Sequence, residues 1–365
     1  MIINDIISYL QERIPLQEAE DFDNVGLLCG NINRECTGVL ICHDALERVV
    51  DEAIEVGANL ILTFHPIIFS GLKSITGRNY VECAVVKAME NKIAIYATHT
   101  AFDNHYFGVN YGICEALKLK NQKVLMPKQK QLSRIDVYVP KTHAEEVKEA
   151  MFKAGAGNIG FYSECSFSVE GNGTFKPEEG ANPFLGTVSE REMTEETLIS
   201  FISEDYKVSK IISAMKQAHP YEEVAYQIIA TQNENHFSGL GRYGELENAM
   251  DEIEFLNYVK NTFGISIIRH SNLMGKPIKT VGVLGGSGAS GIKAAIGAKC
   301  DAYLTGDVKY HDFFAAEGQM LLCDIGHFES EQFVSQQIFE ILSEKFPKFA
   351  FSISKEKTNP VNYFL

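Results

Sequence analysis

Short apolar runs alternate with stretches of helical spacing at both ends of the chain, and this alternation constrains the fold most. Residues 39–42, 59–63 and 93–97 are runs of four or five mostly apolar residues. They are too short for helices and show no clear alternation, so they read as strands buried on both faces. Helical patterns lie at 4–13, 45–56 and 80–90. Residues 237–365 repeat the scheme: helix 253–262, strands 280–284 and 302–305, helix 310–317, strand 320–323 and a long helix 330–344. Strands separated by helices imply βαβ units and a largely parallel sheet.

The middle of the chain differs. Residues 131–140 alternate through Leu132, Ile135, Val137 and Val139, as a half-buried strand does. A helix is expected at 143–154, further helices at 193–203 and 209–217, and a strand at 224–230. The whole reads as a β-α-β-β-α-β, ferredoxin-like module. The expected fold is therefore α/β. Residues 1–127 and 237–365, two arms built alike, form one discontinuous α/β domain, and residues 128–236 form an inserted α+β domain.

The formal net charge of −15 leaves no basic field to offset phosphate repulsion, so a nucleic-acid partner is not expected. No apolar run approaches the roughly 18 residues of a membrane span. The first residues, MIINDIISYLQERIP, lack the basic start of a signal peptide and carry Asp5 and Glu12. The eight cysteines include no C-x-x-C pair and read as small buried apolar residues of a reducing compartment. A cytoplasmic protein is expected.

Chemistry-bearing residues follow the strands. His65 ends the run at 59–63, His99 and Asp103 follow the run at 93–97, and His327 and Glu331 follow the run at 320–323. In parallel sheets ligands sit beyond the carboxyl ends of strands. The i, i+4 spacing of His99/Asp103 and of His327/Glu331 puts each pair on one helix face. Imidazole with carboxylate is the donor set of Zn, Fe or Mn. Either pair alone reads more readily as solvated surface; the shared placement after strands strengthens the metal reading. Gly286, Gly288 and Gly291 fit G-x-G-x-x-G, with Asp307 about 20 residues on, the spacing of a dinucleotide fingerprint. A phosphate cradle or a tight strand-to-helix turn explains the same glycines. Asp307 reads as a helix cap, while Lys309 and His311 are candidates to face the same crevice as proton donors. His43, with no partner pattern, reads as an ordinary surface or core histidine.

Several blocks together resemble a known family: Asp23-Asn24-Val25-Gly26-Leu27, His65-Pro66-Ile67-Ile68-Phe69, His99-Thr100-Ala101-Phe102-Asp103, Gly285-Gly286-Ser287-Gly288, Thr305-Gly306-Asp307-Val308-Lys309 and Gly326-His327-Phe328-Glu329-Ser330-Glu331. The chain resembles the NIF-three-like dinuclear-metal-centre proteins, also known as GTP cyclohydrolase I type 2 homologues, over nearly its whole length. The insert resembles the PII/CutA-like module of longer bacterial members, through residues 155–162, 173–175, 180–183 and His219-Pro220-Tyr221-Glu222-Glu223.

The resemblance implies His65, Asp103, His327 and Glu331 as ligands of up to two divalent metals per subunit, with Asp103 and Glu331 as candidate bridges and His99 close by. It implies a homohexamer and a metal-dependent hydrolase acting on a small molecule, with nucleotides among the candidate substrates. On a purine, attack would fall at the imidazole C8, and His99 or His311 would shuttle protons. The alternative is a non-catalytic metal or cofactor carrier, or a regulatory protein whose insert senses a ligand.

One residue departs from the family pattern. Phe64 stands where a His-His-Pro motif has its first histidine, and a phenyl ring cannot ligate. One metal is therefore expected to be held firmly by His65, Asp103 and Glu331, and the position beside His327 to be weak or empty. Two equally tight metals would mean that another group replaces the missing imidazole, with His99 the first suspect.

Overall fold

The computed structural model describes residues 1–364, which divide into two compact units: Met1–Met126 with Ser238–Leu365, and Pro127–Phe237. In the first unit the apolar runs form strands. Val39–Asp44, Leu60–His65 and Ala94–Ala97 lie parallel and adjacent, with Asp44 opposite His65 and Thr63 opposite Ala97. Gly26–Cys29 and Phe351–Ile353 complete the sheet at its two edges. A second sheet has Ile278–Ser287, Ala302–Gly306 and Leu321–Asp324 in parallel register, flanked by Arg269–His270 on one side and by Glu234–Met250 and Lys120–Gln129 on the other.

One face of each sheet joins a common core. Val39, Ile41, Leu60, Leu62 and Phe64 from the first sheet meet a cluster that includes Val281, Val283, Ala302, Leu304 and Leu321 from the second. Helices Ile3–Arg13, Val109–Ala116 and Val334–Lys345 supply Ile6, Ile113 and Ile338 to it. The outer face of the first sheet is covered by helices Glu47–Glu55 and Tyr80–Glu90 through Val49, Val50, Ala84 and Val85. Asn79 starts the latter helix by accepting from the Glu82 amide, and Asp251 does the same for Glu252–Phe263 through Glu254. This packing holds the carboxyl ends of two parallel sheets in fixed positions. Leu62, fully buried on the strand that carries His65, tests how firmly. We expect Leu62→Ala to cost about 2–5 kcal/mol, read as a lowered urea midpoint.

The second unit has a four-stranded antiparallel sheet in the order Phe167–Phe175, Glu192–Glu204, Leu132–Pro140, Tyr226–Ala230, with helices Ala144–Lys153 and Val208–Ala218. This is the strand order of a β-α-β-β-α-β module.

Two expected helices differ. Residues 193–203 are not helical; they lie within the strand Glu192–Glu204, with Thr197, Ile199, Phe201 and Ser203 buried. Residues 330–344 are not one helix. A short helix His327–Glu331 is followed by Val334–Lys345. Side chains occupy the carbonyls of the first turn: Ser330 Oγ donates to His327 O at 2.7 Å and Gln332 Nε2 to Glu329 O at 2.8 Å. Such bonds compete with the helical ladder. The segment 310–317 is a 3₁₀ helix, Tyr310–Ala316. Among the described residues no helix is long and apolar enough to cross a membrane. The eight cysteines are unpaired, and five of them are buried.

Candidate metal centre

The carboxyl ends of the two parallel sheets bring His65, His327 and Glu331 together. His65 Nε2 lies 3.3 Å from His327 Nε2 and 3.4 Å from Glu331 Oε2, and His327 Nε2 lies 3.3 Å from the same oxygen. Two ligands bound about 2.0–2.1 Å from a tetrahedral cation stand about 3.4 Å apart. The triangle therefore has the dimensions of three tetrahedral ligand positions around one ion. Glu331 is buried, whereas His327 is a third exposed, so the triangle opens toward solvent on the His327 side.

Each imidazole is oriented from behind. His65 Nδ1 donates to Asp44 Oδ1 at 2.8 Å, and His327 Nδ1 to Asp307 Oδ2 at 2.7 Å. A carboxylate on Nδ1 fixes the tautomer that points Nε2 at a metal. Asp307 adopts the left-handed backbone conformation, φ 55°, which a short acidic side chain tolerates.

Glycine makes room for the centre. A Cβ on Gly286, which has φ +65°, would fall 2.3 Å from Glu331 Oε1, and one on Gly306 would fall 2.7 Å from the His327 amide nitrogen. The G-x-G-x-x-G stretch thus lets the carboxylate approach the strand end. It leads into a 3₁₀ turn and only a six-residue helix, and Gly288 O accepts from the Tyr303 hydroxyl at 2.8 Å. The glycines thus make a tight strand-to-helix turn.

Asp103 stands beside this group, buried, with Oδ1 out of contact with solvent and without a hydrogen-bond partner. Burial first, and then the charge of Glu331, push its carboxyl well above the usual carboxylate range. An orphaned carboxylate oxygen next to a second carboxylate is the arrangement that a cation relieves. The three mutually close ligand atoms nevertheless include His327 and not Asp103. The expected firm site was His65, Asp103 and Glu331; the chain brings His327, rather than Asp103, into the close group with His65 and Glu331. Gly326, with φ +94°, turns the chain so that His327 faces His65 across the sheet ends.

His99 lies near the triangle, its ring centroid 5.2 Å from that of His65. Its Nδ1 donates to Asp23 Oδ1 at 2.9 Å, and Asp23 Oδ2 accepts from Thr100 N at 3.0 Å and from the Thr100 hydroxyl. Burial opposes ionisation of Asp23, but the His99 and Thr100 bonds outweigh it and hold its pKa below the usual range. His99 begins its helix with φ 25°, a sparsely populated conformation held by this network. His311 is exposed, with ring contacts to Tyr310 and Phe314, and has no contact with the triangle.

Two residues escaped the sequence reading. Asp44 Oδ2 accepts from His43 Nδ1 at 3.1 Å, so Asp44 holds both His43 and His65. His43 Nε2 donates to Glu331 Oε2 at 3.0 Å. His43, Asp44 and His65 also form a second close trio of ligand groups, but there the carboxylate sits on the Nδ1 side of both rings, an orienting position. The available signal was placement, since His43-Asp44 ends one apolar run as Phe64-His65 ends its neighbour.

Without metal these groups form ion pairs. Burial disfavours charge on His43 and His327, yet the adjoining carboxylates raise them to about 9 and about 10. Burial likewise opposes the charge on Glu331, but His327 and His43 hold it at about 2. Burial lowers His65, outweighing the opposing pull of Asp44 and Glu331. The raised histidines contribute stability that is complete below 6.5 and lost as pH rises toward 9–10. The depressed carboxylate contributes stability present above 4.5 and lost as pH falls toward 2. These are the same pairs seen from both partners, so they count once. Metal binding requires the Nε2 protons to leave and strengthens as pH rises. We expect metal-free protein to lose thermal stability from pH 6.5 upward. The gap in Tm between metal-loaded and chelated samples should widen over the same range.

A cleft of ≈ 470 Å³ opens over the triangle, bounded by His43, His65, Arg269, Asp307, His327 and Tyr363. A second, of ≈ 590 Å³, meets it at Asp44 and His65 and runs along Pro66, Phe69 and Tyr80. Either accommodates a small molecule.

Residues 1–360 match the Duf34/NIF3 (NGG1p interacting factor 3) family. Relatives named GTP cyclohydrolase 1 type 2 homolog include one from Halalkalibacterium halodurans, 41% identical over 84% of this chain and 82% of its own length. Another, from Bacillus subtilis, is 37% identical over 98% and 97%. Among solved structures, a Bacillus cereus protein related to NIF3 superposes with a TM-score of 0.88 at 37% identity, covering 100% of this chain and 99% of that one. With a match from end to end and relatives of this identity, the chain belongs to the Duf34/NIF3 family.

Proposed function

We propose that this protein is a divalent-metal-dependent hydrolase of small molecules, with a nucleotide as the substrate class that its relatives' name suggests. The observation that carries the reading is the convergence of His65 Nε2 and His327 Nε2 on Glu331 Oε2, each ring backed by its own carboxylate. His65, His327 and Glu331 would hold the cation, which supplies Lewis acidity and lowers the pKa of a water. Soft thiolates are absent from the group, so Zn, Fe or Mn fits the donor set. Asp23 fixes His99 through Nδ1 and leaves Nε2, on a ring beside His65, as the nitrogen that would take or give a proton. Arg269, held by Asp324 at 2.9 Å, gives the wall of the cleft over the triangle a positive group for an anionic substrate.

The test is turnover. Metal-loaded protein is incubated with a nucleotide panel that includes GTP, and products are followed by mass spectrometry. Hydrolysis that ceases with chelator and in His65→Ala supports the reading. Stoichiometric binding without product would favour the carrier alternative.

The Pro127–Phe237 unit we read as a PII/CutA-like insert, on the strength of its strand order. Its edge strand exposes Phe167 and Val169, and the opposite edge exposes Ile228 and Ile229. Exposed apolar edges favour pairing between copies, consistent with a homohexamer. Light scattering at micromolar concentration tests this, and a monomer would refute it. A cytoplasmic location fits the unpaired cysteines.

A further inference from the structure

We propose that His43 is a metal ligand: it supplies, from the neighbouring strand, the imidazole that position 64 lacks, and with Glu331 it holds a second cation. This rests on the metal-centre reading above.

The register makes the exchange possible. Cys42 pairs with Thr63 and Asp44 with His65 in parallel strands, so His43 lies beside Phe64. Side chains of such neighbours leave the same face of a sheet. Val39 and Ile41 share the common core with Leu60, Leu62 and Phe64, which puts residues 43 and 64 on that face as well. Their ring centroids are 5.5 Å apart.

The orientation of His43 is that of a ligand. Its Nδ1 rests on Asp44 and its Nε2 lies 3.0 Å from Glu331 Oε2. His43 approaches the Glu331 oxygen but is not among the mutually close atoms of His65, His327 and Glu331. One oxygen thus meets His65 and His327 in one group and His43 outside it, the disposition of a carboxylate shared by two ions.

Asp103 supplies the independent observation. Its side chain is more than nine-tenths buried, and Oδ1 has no partner. No protein donor satisfies that oxygen, and a cation shared with Glu331 would. Phe64 fits the same account, because a fully buried phenyl ring walls the position and contacts His43, His65 and His99 without competing for the ion. His99, the residue first suspected of replacing the lost imidazole, has Nδ1 on Asp23, and no bond joins it to Glu331 or Asp103 among the described residues.

The experiment is a Co²⁺ and Zn²⁺ titration of the full-length protein, read by calorimetry, by elemental analysis after desalting, and by the Co²⁺ visible spectrum. Wild type should take two equivalents per subunit. His43→Ala should keep one and bind the second at least about 100-fold more weakly, with a changed Co²⁺ spectrum. The double variant His43→Ala/Phe64→His should regain the second equivalent. Should His43→Ala fail to fold by circular dichroism, His43→Gln, closer in size, carries the same expectation for the second equivalent. Two tight equivalents retained without the imidazole, or a single equivalent in wild type, would overturn the role of His43 while leaving the metal centre standing. A wild type that binds no metal would instead overturn the metal-centre reading itself.

Discussion

Glu331→Gln should strip metal from the protein. Glu331 Oε2 is the one atom that His43, His65 and His327 all approach, at 3.0, 3.4 and 3.3 Å. The amide keeps the size of the side chain but removes the negative charge and can turn N–H groups toward three imidazoles. Loss of an orienting residue alone typically costs 10–100-fold in metal affinity, so loss of the shared anionic ligand should cost at least about 100-fold. Elemental analysis of desalted protein reads the effect. A variant that retains wild-type metal content would mean that the carboxylate is only an ion-pair partner of His43 and His327.

Asp44→Asn should also weaken metal binding, although Asp44 need not touch the ion. Its two oxygens hold His43 Nδ1 and His65 Nδ1 at 3.1 and 2.8 Å. Asparagine offers a single acceptor oxygen, so one ring loses its anchor and neither keeps a charged one. We expect metal affinity to fall about 10–100-fold with the fold intact. The conservative Asp44→Glu should restore part of it, whereas a purely structural role would show as a lowered Tm in both variants. A metal isotherm indistinguishable from wild type would remove Asp44 from the account.

The parallel strands were legible because their apolar runs are short and punctuated by helical stretches, and His65, His327 and Glu331 were legible because they follow those runs. His43 and Asp44 were hidden for a physical reason. Their partners lie on a neighbouring strand and on a helix far along the chain, and no local spacing encodes strand register. Asp307 was read as a cap, since a carboxylate after a strand serves either role and only the position of His327 decides. The strand Glu192–Glu204 misled because Leu198 and Ile202 on one parity and Ile199 and Phe201 on the other satisfy helical spacing as well as alternation. The division of ligands between two metal positions depends on which imidazole faces which carboxylate, a matter of turn geometry at Gly326 that no local spacing encodes.

The most direct measurement is a crystal structure of the zinc-loaded protein with anomalous data collected across the metal edge. The account predicts a peak about 2.0–2.2 Å from His65 Nε2, His327 Nε2 and a Glu331 oxygen, with Asp44 and Asp307 still on the Nδ1 atoms. Anomalous density found only away from these three atoms, or a triangle unchanged with its imidazoles bonded to Glu331 in saturating zinc, would contradict it.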